Sequence, residues 1–296
     1  MVASLTVSRF AGFALVALSA ASFGIMPIFA RFAYADGAGT TTMLFLRFSI
    51  GGLFLLGVMK LRRIAFPRGR QLLGFALMGA VGYTGQSFCY FTALKYASAG
   101  LVALMLYVYP ALVTLLSVLF LHQRLSGRTV AALALALAGT ALIVGLGSSG
   151  QARGVLLGLG AAGIYAVYII CGSRLIGPGM AIPSSGVIML AAALMFGGFS
   201  AAGGLQLPHS AFGIAAIAAI ALISTVVALV TFFAGMERVG PTNASMISTI
   251  EPVVTVTAAA VFLGEPIRLL NVVGGCLILG SLAILASSPA QEKQER

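Results

Sequence analysis

Along this chain, apolar stretches of about twenty residues alternate with short polar or charged interruptions, and the pattern recurs ten times. The stretches run over 10–30, 40–59, 71–93, 98–121, 129–147, 154–173, 182–203, 211–235, 242–263 and 270–288. Each is close to the ~20 residues that a helix needs to cross a ~30 Å hydrocarbon core. Runs such as 131–144 lack the apolar and polar alternation of a barrel strand. Only helices and closed barrels satisfy their backbone hydrogen bonds in lipid, so the pattern predicts an all-α membrane protein with ten transmembrane helices. The first stretch continues to Phe29, too long for the apolar core of a signal peptide, and is expected to be retained.

Composition agrees: 296 residues that are 60% hydrophobic and 8% charged cannot cover such a core with polar surface in water. The formal charge of +11 is mostly a matter of orientation. With ten crossings both termini share one side, which receives Arg9, Lys60, Arg62, Arg63, Arg68, Arg70, Arg124, Arg128, Arg174, Arg238, Lys293 and Arg296. The other side receives Arg31, Lys95, Arg153 and Arg268, while Arg47 falls inside a stretch. Positive residues are retained in the cytoplasm, which places both termini there and the chain in a bacterial-type plasma (inner) membrane. The cluster Lys60 to Arg70 is a short loop without an aromatic platform. Lipid headgroups suit it better than nucleic acid, so the expected partners are the bilayer and a small-molecule substrate. Cys89, Cys171 and Cys276 lie in three different stretches and indicate no disulfide framework.

A repeat runs through the chain. Adding about 142 to a position in the first half carries Gly12 to Gly154, Ala20 to Ala162, Phe91 to Phe233, Pro110 to Pro252, and Phe120-Leu121 to Phe262-Leu263. Five crossings per half is an odd number, so the second copy enters the membrane inverted. Such repeats are a signature of secondary transporters, with the solute site in a central cavity between the halves. The expected units are 1–148 and 149–296.

Several runs then carry a family resemblance. They are Arg47-Phe48, Tyr-Phe-Thr-Ala-Leu-Lys-Tyr at 90–96 leading toward Pro110, Ile-Glu-Pro-Val-Val at 250–254, and Phe-Leu-Gly-Glu-Pro at 262–266. In order and spacing the chain resembles the EamA-type drug/metabolite transporter superfamily over essentially its whole length, and its length and topology also resemble the YddG-like amino acid exporters. That resemblance implies ten helices around a central cavity and export of small metabolites, amino acids or drugs. One departure is His122-Gln123 in the first repeat, where the second has Gly264-Glu265 and the family often has Gly-Glu in both. A role that needs two symmetric loop carboxylates is weakened accordingly.

Polar residues inside a crossing mark faces turned to protein or to a wet cavity. At 100° per residue, Ser245, Ser248, Thr249, Glu251, Pro252 and Thr255 share one broad arc. Tyr83, Gln86, Ser87 and Tyr90 share a face with Gly79, and Tyr165 and Tyr168 add to the sixth crossing. Tyr107 and Tyr109 fall on opposite sides of a continuous helix, so only one of them, Tyr109, is expected at the cavity. The bland alternative is that the hydroxyls bond to their own helix and the tyrosines only pack.

A charge near the bilayer centre costs about 2.5 to 3.5 kcal/mol on insertion scales, which singles out Glu251 and Arg47. Glu251 is a candidate for binding a substrate ammonium or carrying a coupled proton. Arg47, about seven residues from the outer end, is a candidate for charge recognition or for snorkelling outward. Pro27, Pro110 and Pro252 are candidate hinges. An aromatic cavity bearing a carboxylate and a guanidinium suits a zwitterionic or amphipathic solute, so the expected function is export of small metabolites, amino acids including aromatic ones, by alternating access.

Other classes fit less well. Gly158-Leu-Gly-Ala-Ala-Gly163 lacks a preceding strand and an acidic ribose partner, and no phosphate-binding loop is present, so no cofactor, metal or nucleotide is expected. An intramembrane hydrolase built on Gly147-Ser148-Ser149-Gly150 with His209 would place both residues in interhelical connections rather than in a dry site. A non-transporting scaffold gives no reason for the polar stripe of the ninth crossing.

Overall fold

The computed structural model describes residues 2–93, 96–97, 99–144 and 151–287, and these are almost entirely helical. The helices are α1 (Val2–Gly24), α2 (Met26–Ala35), α3 (Thr40–Leu61), α4 (Gly69–Leu77), α5 (Thr84–Ala93), α6 (Ala99–Leu106) and α7 (Tyr109–Leu121). They continue with α8 (Gly127–Val144), α9 (Ala152–Leu175), α10 (Ala181–Gly203), α11 (Ala211–Ala221), α12 (Ala228–Ile247), α13 (Glu251–Leu263) and α14 (Leu269–Ser287). Met78–Tyr83 and Leu222–Val227 are π-helical turns joining α4 to α5 and α11 to α12, and Ser248–Ile250 is a 3₁₀ turn between α12 and α13. The boundary expected near 148/149 and the Ser149 of the hydrolase alternative lie outside the described residues, as do Lys95, Lys293 and Arg296.

Eight segments among the described residues are long and apolar enough to cross a membrane. One of them, Ala211–Leu263, is 53 residues long. A straight helix of that length would extend about 80 Å, far beyond a ~30 Å hydrocarbon core. The chain breaks it at Gly240 (φ 80°, ψ 164°), followed by Pro241. The outer surface carries large apolar side chains such as Phe10, Leu61, Leu194 and Leu269, each more than three-quarters exposed. In water such coverage would drive aggregation, and lipid is the solvent that accepts it. The chain is a multi-pass membrane protein.

The two halves are interleaved. Helix α3 packs along α10 and α8 along α14, while α1 packs on α12 and α9 on α5. A shift of 142 residues exchanges these pairings. A Cβ placed on Gly12 would come within 2.6 Å of Val239 and 2.8 Å of Arg238, and one on Gly154 within 2.6 Å of Ala97 and 3.1 Å of Tyr96. The second set is the first moved by 142 positions. At the α8/α14 crossing, Gly139 and Gly274 meet so closely that a Cβ on either would lie 2.6 Å or 2.5 Å from the carbonyl oxygen of the other.

The repeat extends to the caps. Helices α7 and α13 both end in a left-handed residue, His122 (φ 52°) and Gly264 (φ 67°). The next amide returns to an equivalent carbonyl, Gln123 to Ser117 at 3.2 Å and Glu265 to Ala259 at 3.3 Å. The His-Gln and Gly-Glu difference therefore changes side chains without changing the backbone. Gln123 accepts a 2.7 Å bond from Thr242, whereas Glu265 pairs with Arg31, so both loops tie one half to the other.

Candidate functional site

Arg47 of α3 does not snorkel. It is 4% exposed, and it turns inward because acceptors from both halves meet it there. Its Nε donates to Thr225 Oγ1 at 2.8 Å and an Nη2 hydrogen goes to Tyr83 Oη at 2.9 Å. The Phe48 ring lies under the guanidinium, 4.7 Å from Cζ to the centroid. Tyr83 and Thr225 each sit in a π-helical turn. Such a turn inserts a residue into the helical register and loosens its carbonyl bonding, a local change often found at functional sites. The Thr225 hydroxyl uses the slack by donating to the Ile220 carbonyl at 2.8 Å, five residues back, which leaves its lone pairs for Arg47.

Glu251 opens α13 immediately after the 3₁₀ turn. The Tyr107 phenol hydrogen-bonds to its carboxyl, and Tyr90, Tyr109 and Tyr165 lie within its electrostatic range. Tyr107 and Tyr109 do not sit on one continuous helix. The helix is interrupted between α6 and α7 at Tyr107 and Val108, so 100° per residue does not apply there, and Tyr109, whose hydroxyl donates to the Ser245 carbonyl at 3.5 Å, lies within the electrostatic range of Glu251 as Tyr107 does. Pro27, Pro110 and Pro252 each occupy the first turn of a new helix, α2, α7 and α13, where the absent N–H leaves no bond unmade.

Between the two charges runs a chain of rings. Centroid separations are 5.0 Å for Phe48 and Tyr83, 5.8 Å for Tyr83 and Tyr168, 6.0 Å for Tyr168 and Tyr165, and 4.7 Å for Tyr165 and Tyr109. These are within the range of favourable edge and offset contacts. Tyr34 interacts electrostatically with both Arg47 and Tyr90. Six of the eight tyrosines in the chain thus gather between one guanidinium and one carboxyl, the exceptions being Tyr34, which is 38% exposed, and Tyr96. The Tyr168 hydroxyl is buried there without a hydrogen-bond partner among the described residues.

The serine and threonine stripe plays a different part. Ser245, Ser248 and Thr249 donate to the carbonyls of Thr242, Ala244 and Met246 at 2.8, 3.0 and 2.6 Å. Their donors are spent within their own helix, as the bland alternative expects. Ser87 donates to Gln86 Oε1 at 3.3 Å. Tyr107 and Thr225 are the members of the site that sequence patterns missed. His209 lies in the loop before α11, where its amide donates to the Asp36 carbonyl at 3.0 Å.

A helical membrane protein built from two exchangeable halves, with packed tyrosines at their junction, belongs to the class of membrane transporters. The EamA-like transporter family matches residues 10–145 and again residues 152–287, and the chain belongs to that family. The two matches start and end 142 residues apart, the offset of the internal repeat. An uncharacterized transporter of Archaeoglobus fulgidus is 27% identical over 282 residues, 92% of this chain and 95% of that one. The uncharacterized transporter YcbK of Bacillus subtilis is 31% identical over 117 residues, 38% of each chain. The aromatic amino acid exporter YddG of Ancylobacter novellus is 30% identical over 135 residues, 44% of this chain and 47% of that one. A solved crystal structure shares the fold with a TM-score of 0.79 at 23% identity, covering 96% of both chains.

Proposed function

We propose that the chain is a secondary exporter of amino acids, aromatic ones included, working by alternating access across a bacterial-type plasma membrane with both termini in the cytoplasm. In this account Ala211–Leu263 crosses twice, around Gly240, and Gly69–Ala93 crosses once through its π-helical turn, which makes ten crossings. The units are two inverted five-helix repeats, 1–148 and 149–296. The excess of Lys and Arg in alternate loops supports the orientation.

The observation that carries the substrate class is the gathering of six tyrosines between Arg47 and Glu251. Phenol rings offer apolar faces with polar rims, which suits a solute that is itself an aromatic or amphipathic zwitterion. Glu251 is the group for the substrate ammonium, with Tyr107 orienting its carboxyl. Tyr83, Tyr90, Tyr109, Tyr165 and Tyr168 line the chamber, and Gln86 lies at its edge. Pro27, Pro110 and Pro252 begin the helix segments that move. The aromatic amino acid exporter among the relatives supports the same substrate class.

Uptake of labelled amino acids into proteoliposomes tests this. Saturable flux of phenylalanine, tyrosine or tryptophan, well above that of acidic and basic amino acids, is the expected result. Equal flux for all amino acids, or none above empty vesicles with folded protein confirmed, contradicts it.

A further inference from the structure

Arg47 is a buried cation, and among the described residues no carboxylate pairs with it. An arginine stays protonated inside a protein, and neutral acceptors only partly offset the desolvation of its charge. Its two hydrogen bonds, to Thr225 and Tyr83, use two of the five N–H groups that a guanidinium carries. Nη1 makes no hydrogen bond among the described residues. One face is covered by Phe48. The group is held in place by neutral neighbours and keeps donors in reserve, an arrangement suited to a visiting anion.

Its position is equally specific. Tyr83 and Thr225 are 142 residues apart, the separation of the two family matches. Equivalent residues of two repeats that share one partner lie beside the two-fold axis relating them. Tyr109 and Glu251 have the same separation and lie within each other's electrostatic range. The crossings of α3 with α10 and of α8 with α14 also pair equivalent helices. Arg47 with its clamp lies next to the first crossing, and Gly139 meets Gly274 at the second. When repeats exchange conformations in alternating access, a point on this axis keeps its surroundings while the mouths open and close around it. A solute site served from both sides belongs on that axis.

We infer that Arg47 receives the carboxylate of the transported amino acid, and that Tyr83 and Thr225, one from each half, are positioning residues that keep its guanidinium on the axis. This rests on the amino-acid reading above and adds the polarity of binding: the solute carboxylate faces the α3/α10 crossing, and its ammonium faces Glu251. No bond is made or broken. The carboxylate takes the unused N–H donors and supplies the counter-charge that the described residues around Arg47 do not.

The test is binding of two probes, L-phenylalanine and L-phenylalaninamide, to the full-length protein in detergent or nanodiscs. In the amide a neutral carboxamide replaces the carboxylate and the ring is kept, and at about pH 6, below the α-amino pKa of about 7.7, the amine stays an ammonium. The wild type is expected to bind phenylalanine at least about tenfold more tightly than the amide, the size of a lost charge-assisted hydrogen bond. Arg47→Gln should lower phenylalanine affinity to that of the amide and leave the amide unchanged, and Arg47→Lys should recover part of the preference. Equal weakening of both probes in Arg47→Gln, or an unchanged preference, overturns the carboxylate assignment alone. Should Arg47→Gln fail to fold, Arg47→Lys with Thr225→Val decides by the same ratio: a preference equal to that of the wild type in both overturns the assignment. Failure of the wild type to bind either probe overturns the amino-acid reading and this inference with it.

Discussion

Thr225 accepts a 2.8 Å hydrogen bond from Arg47 and so fastens a π-helical turn of the second half to a helix of the first. The bond is fully buried, with Thr225 1% exposed and Arg47 4%. Replacing Thr225 by Val keeps the shape and removes an acceptor from a buried cation. A loss on the order of 1 to 3 kcal/mol is expected, read as a lower thermal midpoint in detergent, and Thr225→Ser should recover most of it. An unchanged midpoint in Thr225→Val would mean that the bond contributes nothing to holding the halves.

Tyr107 is the residue on which sequence periodicity and structure disagree most. Its phenol meets Glu251 only because the helix is interrupted before Tyr109. Tyr107→Phe should reduce flux by about tenfold or more while leaving the fold intact, the scale of one hydrogen bond to a charged group. A transport rate equal to wild type in a well-folded Tyr107→Phe protein would return Tyr107 to a packing role.

The α8/α14 crossing has no room for a side chain. Gly274→Val would push a Cβ to 2.5 Å from the Gly139 carbonyl oxygen, whereas Gly57 has nothing within 4 Å of its Cβ position. Overpacking of this kind costs about 1 to 3 kcal/mol. Gly274→Val is expected to melt well below wild type and Gly57→Ala at about the wild-type temperature. Equal melting of the two variants would contradict the close crossing.

Outside the helices, Asp36 Oδ2 accepts from the Ser210 amide at 2.8 Å at the start of α11. That hydrogen bond, with the nearby His209, holds the Asp36 carboxyl below its ordinary value, even though the group is exposed. Because the folded-state pKa is the lower one, the contribution is present above the unfolded value of about 3.9 and is lost as pH falls through the folded value. Hydrogen exchange of residues 206–213, corrected for intrinsic rate, should show protection falling below about pH 4 in wild type but not in Asp36→Asn. The same fall in both proteins would assign the effect elsewhere.

How much of this is legible in the sequence depends on helix continuity. The apolar stretches, the offset of 142, and the exceptional charges Arg47 and Glu251 follow from hydropathy and rarity alone. The faces do not, because 100° per residue holds only along an unbroken α-helix. The π-helical turns at Met78–Tyr83 and Leu222–Val227 have no proline to announce them, and only the first carries glycines. Thr225 is hidden as one hydroxyl in an apolar run. Tyr34 stands at the end of α2, where aromatic residues are usually interfacial. The ninth-crossing stripe sets Glu251 beside Ser245, Ser248 and Thr249, but periodicity does not show that their hydroxyls are bonded within the helix. A sharper signal was available in the offset itself, since Tyr83 with Thr225 and Tyr109 with Glu251 are repeat equivalents.

In the proposed function, solute passes along the tyrosine cluster between Arg47 and Glu251. The most direct test is flux of labelled L-phenylalanine in proteoliposomes containing wild type or Glu251→Gln, with equal incorporation and equal thermal midpoints. The account predicts saturable flux in wild type and at least about a tenfold loss in Glu251→Gln. Equal flux, with the same pH dependence in both proteins, would contradict it.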